Sequence, residues 1–211
     1  GIARGTARHA ISLLVEEGTA AVRRGAQAGV IAAPPPPEQT LSELLSFSAW
    51  ARSLGCEPSG RVIALSRRTA TPDDTAALAL GADEPVWDLT RVRMLDGRAV
   101  MIERSTYPHR IGQIVAALDL ERVSITSALL DHDIHLARAR HTIDARPASA
   151  DDASLLGVDE GAPLLRVRRL ATSPLGEPLE RGEDRYLGDA VAFSVDNVAR
   201  QASTRRTADR S

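Results

Sequence analysis

Ala70-Thr71-Pro72-Asp73-Asp74 leading to Gly81-Ala82-Asp83-Glu84-Pro85-Val86-Trp87 sets a pattern that returns later in the chain. It returns as Pro147-Ala148-Ser149-Ala150-Asp151-Asp152 leading to Gly157-Val158-Asp159-Glu160-Gly161-Ala162-Pro163-Leu164-Leu165. Each run reads as the end of a strand, a short helix opened by acids, a glycine turn and a new strand starting at proline. Acids suit a helix N-terminus because the peptide dipoles leave positive charge there. Each new strand carries an Arg-x-Arg, Arg91-Val92-Arg93 and Arg166-Val167-Arg168. Each is followed by a return strand with a Glu-Arg, Glu103-Arg104 and Glu180-Arg181. Asp96-Gly97 between the first pair is a strong hairpin signal. Two such units predict a pseudo-symmetric, mainly antiparallel sheet of about six strands with helices to one side, an α+β domain.

Working outward, strands are expected over 61–71, 85–95, 99–107, 134–145, 163–172 and 177–187, with 192–195 closing the sheet. Short helices are expected over 46–54, 111–118 and 124–130. Upstream, Pro34-Pro35-Pro36-Pro37 favours a stiff polyproline spacer, so a linker is placed at 34–40 between a small unit, 1–33, and the main domain, 41–198. Residues 199–211 read as a polar tail. In the small unit, residues 6–17 have Ala7, Ala10, Ile11 and Leu14 on one helical face, with Thr6 placed as the cap and Gly18 as the stop. Short strands at 19–24 and 30–32 flank a glycine-rich hairpin.

All 26 basic residues are Arg, against 28 acids, for a net charge of −2. Residues 1–33 carry +2 and the remainder −4, a split that points to a polyanion at one end only. Only six residues are aromatic, too few for a surface that stacks single-stranded bases. No apolar run is long enough to span a bilayer. A single cysteine, Cys56, excludes an internal disulfide and fits a cytoplasmic location. His109, His132, His135 and His141 lack metal-ligand spacing, and no phosphate loop, dinucleotide fingerprint or nucleophile elbow occurs, so neither metal nor cofactor is expected.

In order and spacing these motifs resemble the HutC branch of the GntR transcription regulators over nearly the whole chain. Gly1-Ile2-Ala3-Arg4-Gly5-Thr6-Ala7-Arg8-His9-Ala10 and Leu14-Val15-Glu16-Glu17-Gly18 match the turn and recognition helix of a winged helix-turn-helix, and Arg23-Arg24 match its wing. Residues from about Leu41 to Val195 match the UTRA effector-binding domain, which has a chorismate-lyase-like fold; Leu80-Gly81-Ala82-Asp83-Glu84-Pro85-Val86 and Leu155-Leu156-Gly157-Val158 are among the strong points. Only the C-terminal part of the winged helix-turn-helix is present, and the resemblance implies two further helices ahead of Gly1. It implies a cytoplasmic homodimer, most often a repressor, that reads a palindromic operator and responds to a small anionic metabolite such as a sugar phosphate or carboxylate. Arg4, Thr6, Arg8 and His9 would enter the major groove, with Arg23 and Arg24 on the DNA backbone.

Alternation along the strands puts Arg91 and Arg93 on one sheet face, and Glu103 and Ser105 on one face of the return strand. Two guanidinium forks suit a phosphate or carboxylate. The resemblance adds a serine near Ser124, with Thr126 and Ser127 competing for the part, and Glu180 and Tyr186. The plainer alternative makes Arg91 and Glu103 a cross-strand ion pair on a wet sheet face. At the level of function, the rivals are a chorismate-lyase-like enzyme and a stand-alone effector-binding module without DNA binding.

Overall fold

The computed structural model describes residues 3–16, 20–23, 29–32 and 35–197. The first helix, α1 (Arg4–Glu16), is followed by the antiparallel pair β1 (Ala20–Arg23) and β2 (Gly29–Ala32). Thr6 lies inside α1 and is not its cap, because helical hydrogen bonding already starts at Ala7, whose N–H donates to the carbonyl of Ala3. Leu14 on the apolar stripe and Val22, Val30 and Ile31 of the hairpin are exposed. Gly18, Arg24 and the tail from 198 onward fall outside the described residues.

The chain then forms β3 (Glu38–Thr40) and α2 (Phe47–Ser53), with Ser46 capping α2. Finding β3 inside the stretch expected to be a spacer is a correction. Its residues pair in parallel with β10 (Ala192–Ser194), so 192–194 form a separate two-stranded sheet and do not close the main one. The pairing continues at both ends: Ala192 N–H donates to Pro37 O, and Leu41 N–H to Ser194 O. Strand addition needs only free backbone donors and acceptors, which composition does not announce. The Trp50 indole N–H reinforces it by donating to Glu38 O at 2.9 Å.

The repeat takes the form β4 (Pro58–Thr69), α3 (Pro72–Leu78), β5 (Pro85–Leu95) and β6 (Arg98–Pro108). After α4 (His109–Ala116) and α5 (Ile125–Leu130) it recurs as β7 (Arg138–Pro147), α6 (Ala150–Leu156), β8 (Pro163–Thr172) and β9 (Pro178–Leu187). The six-stranded sheet has the order β4-β5-β6-β9-β8-β7 with every neighbour antiparallel, so the halves meet symmetrically at β6 and β9. β7 starts four residues later than alternation suggested; Ile134 instead ties back to α5, its N–H donating to Leu129 O.

Local chemistry builds α3 and α6 identically. The Thr71 and Ser149 hydroxyls accept from the Asp74 and Asp152 amides, and each aspartate accepts in return from the capping residue's amide. α6 stops at Gly157 in the left-handed region, as expected, whereas α3 stops at Ala79 (φ 53°), two residues before Gly81. The aspartates also carry the tertiary docking, and they exchange halves. Arg181 of β9 reaches Asp74 of α3 at 2.7 Å, and Arg104 of β6 reaches Asp152 of α6 at 2.9 Å. Arg68 and Arg185 complete the two clusters. Arg104 and Arg181 alternate along their strands with Glu103 and Glu180, so α3 and α6 lie on the sheet face opposite those glutamates. α4 and α5 cover the glutamates' face through Leu89, Tyr107, Ile111, Val115 and Leu129. The sheet is therefore covered on both faces, where the sequence suggested one.

Two predictions follow from this packing. A Cβ on Gly112 of α4 would sit 2.3 Å from Cδ1 of Trp87, so Gly112→Ala should destabilise by about 1–3 kcal/mol and lower the melting temperature by several degrees in calorimetry. An unchanged melting temperature would mean that the indole yields. Asp152 is buried, which raises its pKa, but bonds from Arg104, Ser149 and Arg185 outweigh this and hold it at about 2. Its folded pKa lies below the ordinary 3.8, so its contribution is complete above pH 4 and disappears as pH falls toward 2. In Asp152→Asn the acid-induced loss of stability across that window should shrink by about 2 kcal/mol, measured by denaturant unfolding at each pH.

Candidate functional site

Between the sheet and α5 lies a cavity of about 130 Å³, in the range that takes a single ring-sized molecule. Pleat alternation fills its floor: Arg91 and Arg93 from β5, Glu103 and Tyr107 from β6, Glu180, Asp184 and Tyr186 from β9, and Arg169 from β8. Phe47 and Ser48 at the start of α2 and Ser124 to Thr126 at the start of α5 form walls.

Charge in such a place must be compensated. Arg91 stands directly across from Glu103 and grips it in a fork, Nε to Oε2 at 2.8 Å and Nη2 to Oε1 at 3.1 Å, while its Nη1 donates to Leu120 O. Arg169 grips Glu180 likewise, Nε to Oε2 at 3.2 Å and Nη2 to Oε1 at 2.8 Å, and its Nη1 donates to Asp184 Oδ2 at 2.8 Å. Ser105 and Tyr107 hydroxyls also donate to Glu180. Burial pushes the pKa of both glutamates up, but the arginines hold them below the usual carboxylate range, so both are ionised and engaged. The cross-strand pair Arg91–Glu103 therefore exists, but it is buried and not on a wet face.

Arg93 is different. Its Nη2 donates to Ser48 Oγ at 2.8 Å and its guanidinium carbon lies 4.8 Å from the centre of the Phe47 ring. Its Nε and Nη1 are buried without a hydrogen-bond partner, and Nε stands 4.0 Å from Glu103 Oε2, an ion pair too long for a hydrogen bond. Burial and the Arg91 charge lower its pKa to about 10, which leaves it cationic at neutral pH. Asp184 is its opposite: Oδ1 is buried without a partner, and burial, aided by Glu103 and Glu180 against Arg169, raises the carboxyl to about 7. His141, also lining the cavity, is pushed down by burial and by Arg169.

Of the residues singled out in the sequence, Arg91, Arg93, Glu103, Ser124, Glu180 and Tyr186 meet at this cavity. Ser105 lies beneath it on Glu180. Ser124 caps α5, accepting from Ser127 N–H; it and Thr126 line the cavity. The second Arg-x-Arg needs correction. Arg166 and Arg168 face the other side of the sheet, and Arg169 plays the part of Arg91, because 85 to 91 and 163 to 169 are the same distance from the strand-opening proline. Sequence reasoning also missed Ser48 and Asp184. Asp184 could have been found, since it shares strand parity with Glu180 and Tyr186; Ser48 reaches Arg93 from 45 positions away and left no local signal.

A second, more open groove crosses the opposite face, lined by Arg68, Arg104, Arg140, Arg168 and Arg181 with Asp88 and Glu183. Arg68, Arg104 and Arg181 are committed to the aspartates that dock α3 and α6. In the small unit, Arg4, Thr6, Arg8 and His9 lie exposed on α1 and Arg23 ends β1. Among the described residues, no helix is long and apolar enough to cross a membrane, and no group of three or more His, Cys, Asp or Glu is placed to hold a metal ion.

Residues 53–192 match the UTRA domain family. Across 92% of its length the chain is 30% identical to the HTH-type transcriptional repressor NagR of Bacillus subtilis, covering 79% of that protein. It is also 30% identical to the HTH-type transcriptional repressor PhnF of Mycolicibacterium smegmatis, over 92% of this chain and 78% of that one. The crystal structure of PhnF from Mycobacterium smegmatis superposes with a TM-score of 0.75 at 27% identity, over 94% of this chain and 87% of that one. The family match spans most of the chain and the identity extends on both sides of it, so the chain belongs to the UTRA-domain transcription regulators of the GntR family.

Proposed function

We propose that this regulator is a homodimeric repressor whose small unit binds operator DNA and whose cavity receives a small anionic metabolite. The observation that carries the effector half is Arg93, a buried cation on a cavity wall whose Nε and Nη1 make no hydrogen bond and whose nearest carboxylate oxygen, Glu103 Oε2, stands 4.0 Å from Nε. Arg91, by contrast, has every nitrogen engaged, so the anion's seat is Arg93 with Ser48 beside it. Two of the relatives above are named as repressors, which supports that direction of control. Exposed Arg4, Arg8 and His9 near the start of α1 support contact with DNA, with Thr6 beside them and Arg23 and Arg24 on the backbone.

The route of control is short in sequence. Ser48 and Phe47 touch Arg93 and open α2, α2 follows β3, and β3 follows the proline run that leads back to the small unit. An anion that draws Arg93 away from Ser48 changes how that segment is held. Such coupling works only if the effector binds one arrangement more tightly than the other.

Thermal-shift titration against glucosamine 6-phosphate, glucose 6-phosphate, dicarboxylates, urocanate and fatty acids tests the effector half. A ligand at 100 times its dissociation constant should add about 2.7 kcal/mol and raise the melting temperature by several degrees. The shift should vanish in Arg93→Ala; no shift with any anion, or a shift that survives in Arg93→Ala, overturns the assignment. For the DNA half, Arg8→Ala should weaken binding to a palindromic operator about tenfold in fluorescence anisotropy, with a steep salt dependence in the parent. Equal affinity of parent and variant would remove Arg8 from the interface. A monomer in sedimentation equilibrium would overturn the homodimer.

A further inference from the structure

The second Arg-x-Arg of the repeat, Arg166-Val167-Arg168, faces away from the effector cavity, and Arg168 lines the groove on the opposite face of the sheet. Strand register sets the cations of that groove in order. Arg140 stands across from Leu170, and Leu170 across from Arg181. Glu183 stands between Arg168 on one side and Arg104 on the other. The four arginines therefore zigzag over the adjacent strands β7, β8, β9 and β6, each one strand over and two residues along from the last. With strands about 4.8 Å apart and about 3.4 Å per residue, successive Cα atoms are about 8 Å apart. The step of two keeps all four on one face.

Docking of the helices uses only half of this row. Arg181 and Arg104 hold Asp74 and Asp152 through one nitrogen each, Nη1 and Nη2. Arg140 and Arg168 are exposed, and among the described residues neither has a hydrogen bond or a carboxylate oxygen within 4.0 Å. The position equivalent to Arg168 in the first half of the repeat is Thr90, so the symmetric frame does not call for a charge there. The acids that line the groove are already held. Asp88 is forked by Arg68 and accepts from the Thr106 hydroxyl at 2.8 Å. Glu183 accepts from Nε and Nη2 of Arg185 at 2.9 and 2.8 Å. Arg140 and Arg168 thus give the groove positive charge that nothing in the fold offsets.

The groove measures about 490 Å³. None of the described residues that line it is aromatic, so it offers no platform for stacking a base; what it offers is guanidinium forks in a row. Their spacing is about one screening length at physiological salt, so neighbouring cations attract an anion jointly. A single compact anion meets one or two of them, whereas a chain of anionic groups meets the row. We propose that this groove is a second anion site, separate from the effector cavity, that binds a short chain of linked phosphates, inorganic or the tail of a nucleotide. Arg140 and Arg168 are its main donors, and the free nitrogens of Arg181 extend it.

Isothermal titration of the whole chain in magnesium-free buffer at fixed ionic strength tests this, with tripolyphosphate, orthophosphate and ATP as probes. Tripolyphosphate should bind about tenfold more tightly than orthophosphate, and Arg140→Ala/Arg168→Ala should weaken it about tenfold or more. Both side chains are exposed and unpaired, so the double variant should melt with the parent. Arg52→Ala/Arg122→Ala removes the same charge outside the groove and should leave the affinity within about twofold, as should Arg93→Ala in the cavity. ATP that binds as tightly as tripolyphosphate assigns the site to a nucleotide's phosphate tail; weaker ATP assigns it to the free chain. No binding of tripolyphosphate, or no preference for it over orthophosphate, overturns the proposal. So does equal affinity in the groove variant and the Arg52/Arg122 control, or a loss in Arg93→Ala, which would move the anion to the cavity. The effector reading is tested separately, through Arg93, and does not fall with the groove.

Discussion

Six charged side chains stand on one face of β5, β6, β8 and β9, in a layer where an unpaired ion would cost several kcal/mol. Forked guanidinium–carboxylate bonding makes that layer tolerable, and the rest of the domain is arranged around it. Each fork ties two neighbouring strands, Arg91 on β5 to Glu103 on β6 and Arg169 on β8 to Glu180 on β9. Each therefore also fixes register, since a slip by one residue would send both partners to the other face. Lysine could not replace these arginines, because one ammonium cannot make two parallel bonds to a carboxylate and a third to a neighbour. Gly182 belongs to the same arrangement: a Cβ there would meet Nη2 of Arg169 at 3.1 Å.

The second use of charge is on the opposite face. Asp74 and Asp152 each begin as the local cap of a short helix and end as a tertiary anchor gripped by arginines from the sheet. The anchors cross between halves, Arg181 to Asp74 and Arg104 to Asp152, so neither half docks its own helix alone. The repeat supplies a symmetric frame for both faces of the sheet.

Family likeness and physical reading agree at the level of the fold and divide the site's residues differently. A resemblance carries over every position that matches a motif, and on that basis Arg91, Glu103 and Glu180 stand level with Arg93. Hydrogen-bond accounting separates them: three are satisfied within the protein, and one keeps open donors. The relatives are named as regulators, which leaves the chorismate-lyase-like alternative without support beyond a shared fold.

Local and periodic features were legible in the sequence. The acid-capped helices, the Asp96-Gly97 hairpin, the strands from β5 to β9 and the parity that puts Arg91 with Arg93, and Glu103 with Ser105, on common faces all depend on neighbours within a few residues, and periods of 2.0 and 3.6 record such neighbours directly, whereas Glu180 and Tyr186 came from the resemblance. What depended on distant partners was not. The pairing of β3 with β10, the reach of Ser48 to Arg93, the exchange of anchors between halves and the identity of Arg169, not Arg166, as the counterpart of Arg91 were decided by tertiary structure. So was the difference between Arg91 and Arg93, two residues apart with the same side chain. Whether a buried donor is spent or free depends on which acceptors the fold brings within 3 Å, and that is a property of the assembled sheet and helices, not of the strand that carries it.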